Sequence, residues 1–127
     1  MKELKKYYII PAEPELVYAA LTNPLTLQAW TGDEAEMSTE PGSEFSLFEG
    51  SIVGKNLEFE EGKKVVQQWY FGEQEVPSLV TIKLHPHKKG TSVELQHTNI
   101  PEDAYADIVE GWDEAYFGNL LAYFEED

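Results

Sequence analysis

Few residues in this chain could do chemistry, and they are scattered. His85-Pro86-His87 places two imidazoles two positions apart, on one side of an extended strand. A metal site would need further ligands, and neither a His-x-x-x-His pair nor a cysteine accompanies them. Lys88-Lys89-Gly90 follows, so the segment reads as a solvent-exposed hairpin turn. Gly50-Ser51-Ile52-Val53-Gly54-Lys55-Asn56 comes near a phosphate-binding loop, which requires four residues between its glycines and Ser or Thr after the lysine. Here three residues intervene and Asn56 follows, so the glycines are expected to serve a bulge or strand bend. With 24 acidic residues, chance carboxylate pairs are inevitable. No catalytic residue, metal ligand or cofactor is assigned.

The more informative groups are polar residues that share a face with apolar ones. His97 has the parity of Val93 and Leu95, so its imidazole faces inward if they do. There it could bind a ligand or act as acid or base, or be hydrogen-bonded as a strand-end residue. Gln67 has the parity of Val65 and Trp69, and Asn119 lies at the edge of a helical apolar stripe. A few convergent polar groups among aromatic rings is the pattern of an orienting ligand site, though for each residue alone a helix–sheet hydrogen bond is the more ordinary role. The rings available to wall such a cavity are Trp30, Trp69, Trp112, Tyr116 and Phe117, with Leu121 beside them. Core packing alone would also explain any one of these rings.

The elements that must position these residues follow from periodicity. Lys5–Ile10 alternates as a strand and stops at Pro11. Leu16, Val17, Ala20 and Leu21 then share a helical face, and Pro14 suits the first turn. Asn23 can cap a second short helix from Pro24 to about Trp30. Five strand-like segments follow, Glu44–Phe48, Ser51–Phe59, Lys63–Phe71, Ser78–Pro86 and Thr91–Asn99, separated by turn signals as in an antiparallel meander. One face of each is apolar, with Val53, Leu57 and Phe59 placed together on the third strand. Glu102–Glu126 has helical spacing and no proline, and Asp103 suits its N-cap or first turn. Its stripe contains Tyr105, Ile108, Val109, Trp112, Ala115, Tyr116, Leu120, Tyr123 and Phe124. Phe117 and Leu121 lie off it, so the apolar arc is wider than a flat sheet contact requires. An α+β domain spanning 1–127 is expected, with this helix across the apolar face of the sheet.

Composition narrows the function classes. A formal net charge of −15, with every basic residue a lysine, disfavours nucleic acids, anionic membranes and phosphate-bearing ligands. The absence of cysteine removes disulfides and thiolate chemistry. Neither a signal peptide nor a spanning stretch is recognisable, so a cytoplasmic protein is expected.

The element order is the helix-grip or START-like one, and specific runs carry a closer resemblance. Pro41-Gly42-Ser43-Glu44-Phe45-Ser46-Leu47-Phe48-Glu49-Gly50-Ser51-Ile52-Val53-Gly54 resembles a "GG-x-F-x-L-F-x-G-x-V-x-G" stretch, with Ser43 at the second glycine. Val65-Val66-Gln67-Gln68-Trp69-Tyr70-Phe71 resembles a strand ending in Trp-Arg-Phe, with Tyr70 at the arginine. Asn99-Ile100-Pro101 followed by Glu110-Gly111-Trp112-Asp113-Glu114-Ala115-Tyr116-Phe117 resembles a "P … GW-x-x-YF" signature, with Ala115 replacing one tyrosine. These belong to the activator of heat-shock-protein-90 ATPase homologues, in the START-like helix-grip superfamily. Gly72-Glu73-Gln74-Glu75 stands where that family commonly has Trp-Pro.

The resemblance implies a curved antiparallel sheet gripping a long C-terminal helix. It also implies either an inner cavity, as in stand-alone bacterial-type members, or contact with a chaperone whose ATP hydrolysis is stimulated. Three functions follow as expectations. The first is a non-catalytic domain with a cavity for a small hydrophobic ligand. The second is a chaperone-interacting regulator acting through its surface. The third is an enzyme of the polyketide cyclase or dehydratase kind.

Overall fold

The computed structural model describes residues 1–71 and 76–125, so the Gly72–Glu75 substitution and the expected helix end at Glu126 lie outside the described residues. The elements run β1 (Lys2–Ile10), α1 (Pro14–Thr22), α2 (Pro24–Thr31), β2 (Glu44–Leu47), β3 (Ile52–Glu60), β4 (Lys64–Trp69), β5 (Ser78–His87) and β6 (Gly90–Ile100). A helical segment closes the chain: α3 (Tyr105–Gly111), a π-helical turn (Trp112–Tyr116) and α4 (Phe117–Glu125). The strands make one six-stranded antiparallel sheet in the order β1-β6-β5-β4-β3-β2. Strands β2 to β6 are sequential neighbours, while β1 sits at the far edge beside β6, so α1 and α2 carry the chain from one edge to the other.

Local chemistry explains both short helices. Pro14 opens α1, where its missing N–H is no loss. Asn23 caps α2, its side-chain oxygen accepting from the amides of Leu25 at 2.9 Å and Thr26 at 3.3 Å. Asp103 does not cap the C-terminal helix, because residues 102–104 form a preceding turn and Ala104 holds the cap position without a side-chain bond.

Two irregularities shift the faces that simple periodicity assigns. A register shift in β3 between Asn56 and Glu58 inserts Leu57 as a bulged residue. Gly54 and Asn56 are therefore buried and Phe59 turns back toward the core, while Leu57 lies exposed. Gly54 is needed there, since a Cβ would lie 2.0 Å from the carbonyl oxygen of Gln68 on β4.

The second irregularity is the π turn, where the Phe117 amide bonds the carbonyl of Trp112, five residues back. One extra residue in the turn advances the helical phase and swings Phe117 onto the core side, where it is 1% exposed. Leu121 and Phe124 follow it to half-buried positions, and Tyr123 turns outward. The wide apolar arc read from the sequence is thus two narrower stripes in different phase. Gly118 accommodates the turn, because a Cβ there would lie 2.7 Å from the carbonyl oxygen of Asp113.

Candidate functional site

The inner face of the sheet carries a polar row amid the core. Leu4, His97, Val80, Gln67 and Asn56 are successive cross-strand partners from β1 to β3. His97 and Asn56 are fully buried and Gln67 is 1% exposed. Such groups must find hydrogen bonds, and these do. The Trp69 indole N–H donates to Gln67 Oε1 at 3.1 Å, and Gln67 Nε2 donates to Asn56 Oδ1 at 3.1 Å. Asn56 Nδ2 in turn donates to the carbonyl of Ser38 at 3.1 Å and to Ser43 Oγ at 3.2 Å. Gln67 is thus a helix-facing core group whose amide is used within the sheet.

His97 is equally committed. Its Nδ1 accepts from the Trp112 indole N–H at 3.1 Å, and its Nε2 lies 2.8 Å from Ser78 Oγ. An indole N–H can only donate, so the neutral ring carries its hydrogen on Nε2 and gives it to Ser78. Ser78 passes its own hydrogen to the carbonyl of Thr98 at 3.1 Å. A serine-activating dyad needs the reverse polarity: an Nδ1–H held by an acceptor and a free lone pair on Nε2. The Ser78–His97 pair therefore ties β5 to β6 and does not activate a nucleophile. Burial without a counter-charge pulls the His97 pKa down to about 4, keeping the ring neutral.

Above this row the aromatic rings fill the space between helix and sheet. Trp69 and Trp112 stack with centroids 4.7 Å apart, and Tyr8 stacks on Phe117 at 4.3 Å. Trp30 meets Tyr116 edge-on at 5.1 Å and donates its N–H to the carbonyl of Ala20 at 2.8 Å. Asp113 anchors the helix to β1, accepting from Lys6 at 2.7 Å and Tyr8 at 2.8 Å. Those two bonds, the Lys6 one first, hold its carboxyl below the usual aspartate range.

The open space lies to one side of the expected place. A cleft of about 460 Å³ runs between the helix around Gly111 and the β2–β3 turn, bordered by Phe48, Ile52, Trp69, Ile108, Trp112 and Tyr116, with Ser51, Asp107 and Ala115 on its margin. Three of the sequence-stated candidates, Trp69, Trp112 and Tyr116, thus come together on it. Trp30, Phe117 and Leu121 are core or half-buried packing residues that do not border it. His97 and Gln67 lie beneath its floor with their hydrogen bonds made. Asn119 is exposed and bonds the Ala115 carbonyl at 2.8 Å, because the π turn rotates it outward.

Phe48, Ile52 and Ile108 were not singled out from the sequence. Phe48 and Glu49 adopt left-handed φ values of 54° and 55°, followed by Gly50 at 87°, and this strained turn sets Phe48 beside Trp30. A bulky residue in that conformation has no sequence signal; Ile52 did have one, sharing strand parity with Gly54. Among the described residues, no group of three or more His, Asp or Glu side chains is placed to hold a metal. No helix there is long and apolar enough to cross a membrane.

Comparison with known proteins fits this architecture. The family described as Activator of Hsp90 ATPase homolog 1-like protein matches residues 11–125. The chain belongs to that family. An activator of 90 kDa heat shock protein ATPase homolog from Dictyostelium discoideum is 35% identical over 114 residues, covering 87% of this chain and 30% of that protein. The chain therefore spans less than a third of this relative's length. Among solved structures, an HSP90 activator from Plasmodium falciparum superposes with a TM-score of 0.80 at 28% identity, covering 94% of this chain and 91% of that one. The Aha1 dimer from Colwellia psychrerythraea superposes with a TM-score of 0.85 at 24% identity, over 98% and 97% of the two chains, and shares the fold. The helix-grip architecture expected from the sequence is the one the family and these structures share.

Proposed function

We propose that this domain is a non-catalytic binding module whose cleft takes a small hydrophobic ligand. The observation that carries the reading is the cleft itself, whose volume of about 460 Å³ is walled mainly by aromatic and aliphatic side chains. Small-molecule sites have this size and this lining. The hydrogen-bond polarity around His97 supports a module without acid–base chemistry. The strongly acidic, arginine-free chain supports an uncharged ligand in place of a phosphate-bearing one, and it supports neither nucleic acid nor anionic membrane as partner.

Native mass spectrometry of the protein purified from its own host tests this directly: a co-purifying apolar mass is the expected result. Apolar dyes should also shift the Trp69 and Trp112 indole resonances, and Ala115→Trp, which fills the cleft from its margin, should abolish the shift. If neither probes nor a native ligand perturb these signals, the reading fails.

A second reading has its own support in the named relatives: regulation of a chaperone of the heat-shock-protein-90 type through the domain surface. Stimulation of such a chaperone's ATPase that is unaffected by Ala115→Trp would favour it over ligand binding.

A further inference from the structure

Tyr116 borders the cleft, is 2% exposed, and its hydroxyl has no hydrogen-bond partner among the described residues. Its ring is fully engaged, lying 4.6 Å from Trp112, 4.9 Å from Phe117 and 5.1 Å from Trp30, centroid to centroid. Every other buried polar side chain along the inner row, and both indole N–H groups beside it, has a partner. Leaving a hydroxyl unsatisfied in such surroundings is unfavourable, and phenylalanine would pack as well without that cost.

The charges around the cleft restrict what could satisfy it. Asp107 stands on its margin, and Glu110 and Glu114 line the adjoining depression along the same helix. Among the described residues, no lysine lines either of them. On the same helix Asp113 pairs with Lys6. An anionic ligand would enter against like charge and find no cation to pair with. Burial also pushes the Tyr116 phenol pKa up, so the O–H remains a donor.

We propose, resting on the ligand-binding reading above, that Tyr116 is the polar anchor of the cleft and selects an uncharged aromatic molecule bearing one hydrogen-bond acceptor such as a carbonyl oxygen. The walls supply the aromatic preference, since Phe48 and the edges of the stacked Trp69 and Trp112 rings border the space and suit edge-to-face contact with a planar guest. The hydroxyl supplies the discrimination: a guest lacking the acceptor leaves it unpaired.

Three matched probes test this by NMR titration of the Trp69 and Trp112 indole signals: naphthalene, 2-acetylnaphthalene and 2-naphthoate. In the wild type the ketone should bind about fivefold more tightly than the hydrocarbon, as one hydrogen bond allows, and the carboxylate most weakly. In Tyr116→Phe the hydrocarbon should bind as before, while the advantage of the ketone disappears. The variant's melting midpoint should equal or exceed that of the wild type, since no protein hydrogen bond is lost. If the ketone keeps its advantage in Tyr116→Phe, or the variant melts several degrees lower, Tyr116 is not the anchor, and the probe binding itself still supports the ligand-binding reading. If the wild type binds none of the three, the anchor and the ligand-binding reading fall together.

Discussion

The Trp112 indole N–H donates to His97 Nδ1 across 3.1 Å, so a helix residue fixes the tautomer of a fully buried imidazole on the sheet. This contact joins the two layers of the fold at one point, and the burial of the ring makes stability depend on pH.

The His97 pKa falls from 6.5 to about 4 on folding, because burial disfavours the charged ring. Between those values the unfolded chain holds a proton that the folded chain lacks, so stability rises with pH. The contribution is complete above the unfolded pKa and is lost as pH falls toward the folded one, by on the order of 3 kcal/mol. Denaturant midpoints measured above and below that window should drop more steeply on acidification for the wild type than for His97→Gln. Parallel curves for the two proteins would contradict the assignment. Relief of acidic self-repulsion works in the opposite direction but is common to both proteins.

Trp112 is 1% exposed, stacks on Trp69 and Phe117 and meets the Tyr116 ring at a tilt. Its truncation to alanine should cost about 3–5 kcal/mol, a large part of what a domain of this size possesses. Trp112→Phe should cost less, keeping a ring in place but orphaning His97 Nδ1. Thermal unfolding of the pair ranks the two contributions; an unchanged midpoint in the alanine variant would refute the packing.

Two glycines of the closing helix should respond to alanine with opposite sign. At Gly111 an added Cβ meets nothing within 4 Å, so Gly111→Ala should stabilise by about 1 kcal/mol through helix propensity. At Gly118 the same change drives a methyl against the Asp113 carbonyl oxygen at 2.7 Å, so it should destabilise by about 1–3 kcal/mol despite the better propensity. Stabilisation by Gly118→Ala would mean that the π turn is absent in solution.

The formal charge of −15 predicts a salt response. Carboxylate repulsion across the surface is screened as the Debye length falls from about 30 Å at 0.01 M to about 8 Å at physiological ionic strength. The melting midpoint should therefore rise over that range. A fall would mean that exposed ion pairs such as Lys5–Glu94 outweigh the net repulsion.

Most elements were legible because their signals are local. Asn23 announces a cap, Pro14 a helix start, and the alternation of Val65, Gln67 and Trp69 a buried strand face, and all three behave accordingly. What misled was phase. The bulge at Leu57 and the π turn at Trp112–Tyr116 each add one residue to a regular element, and the phase of the residues beyond it shifts. Hence Asn119 and Tyr123, read as facing the sheet, lie outside, and Phe117 lies within. The cleft was anticipated in kind but displaced, because its walls meet across elements distant in sequence: Phe48 in a left-handed turn and Ile108 on α3. His97 and Gln67 were placed correctly as inward-facing, but no spacing rule reveals that partners will use up their hydrogen bonds.

Strand β1 pairs with β6 through Lys2↔Ile100 to Ile10↔Thr91, so the earliest strand of the sheet in sequence order finds its neighbour in the latest. Strands β2 to β6 can zip by successive hairpins while β1 waits, attached through α1 and α2. Closure of that edge carries a large loop entropy, so it belongs among the late and slow events of folding. During synthesis the growing sheet presents an open edge at each new strand, and its apolar face stays uncovered until the C-terminal helix emerges. A sheet of this topology therefore exposes that edge and that face until its last elements are in place.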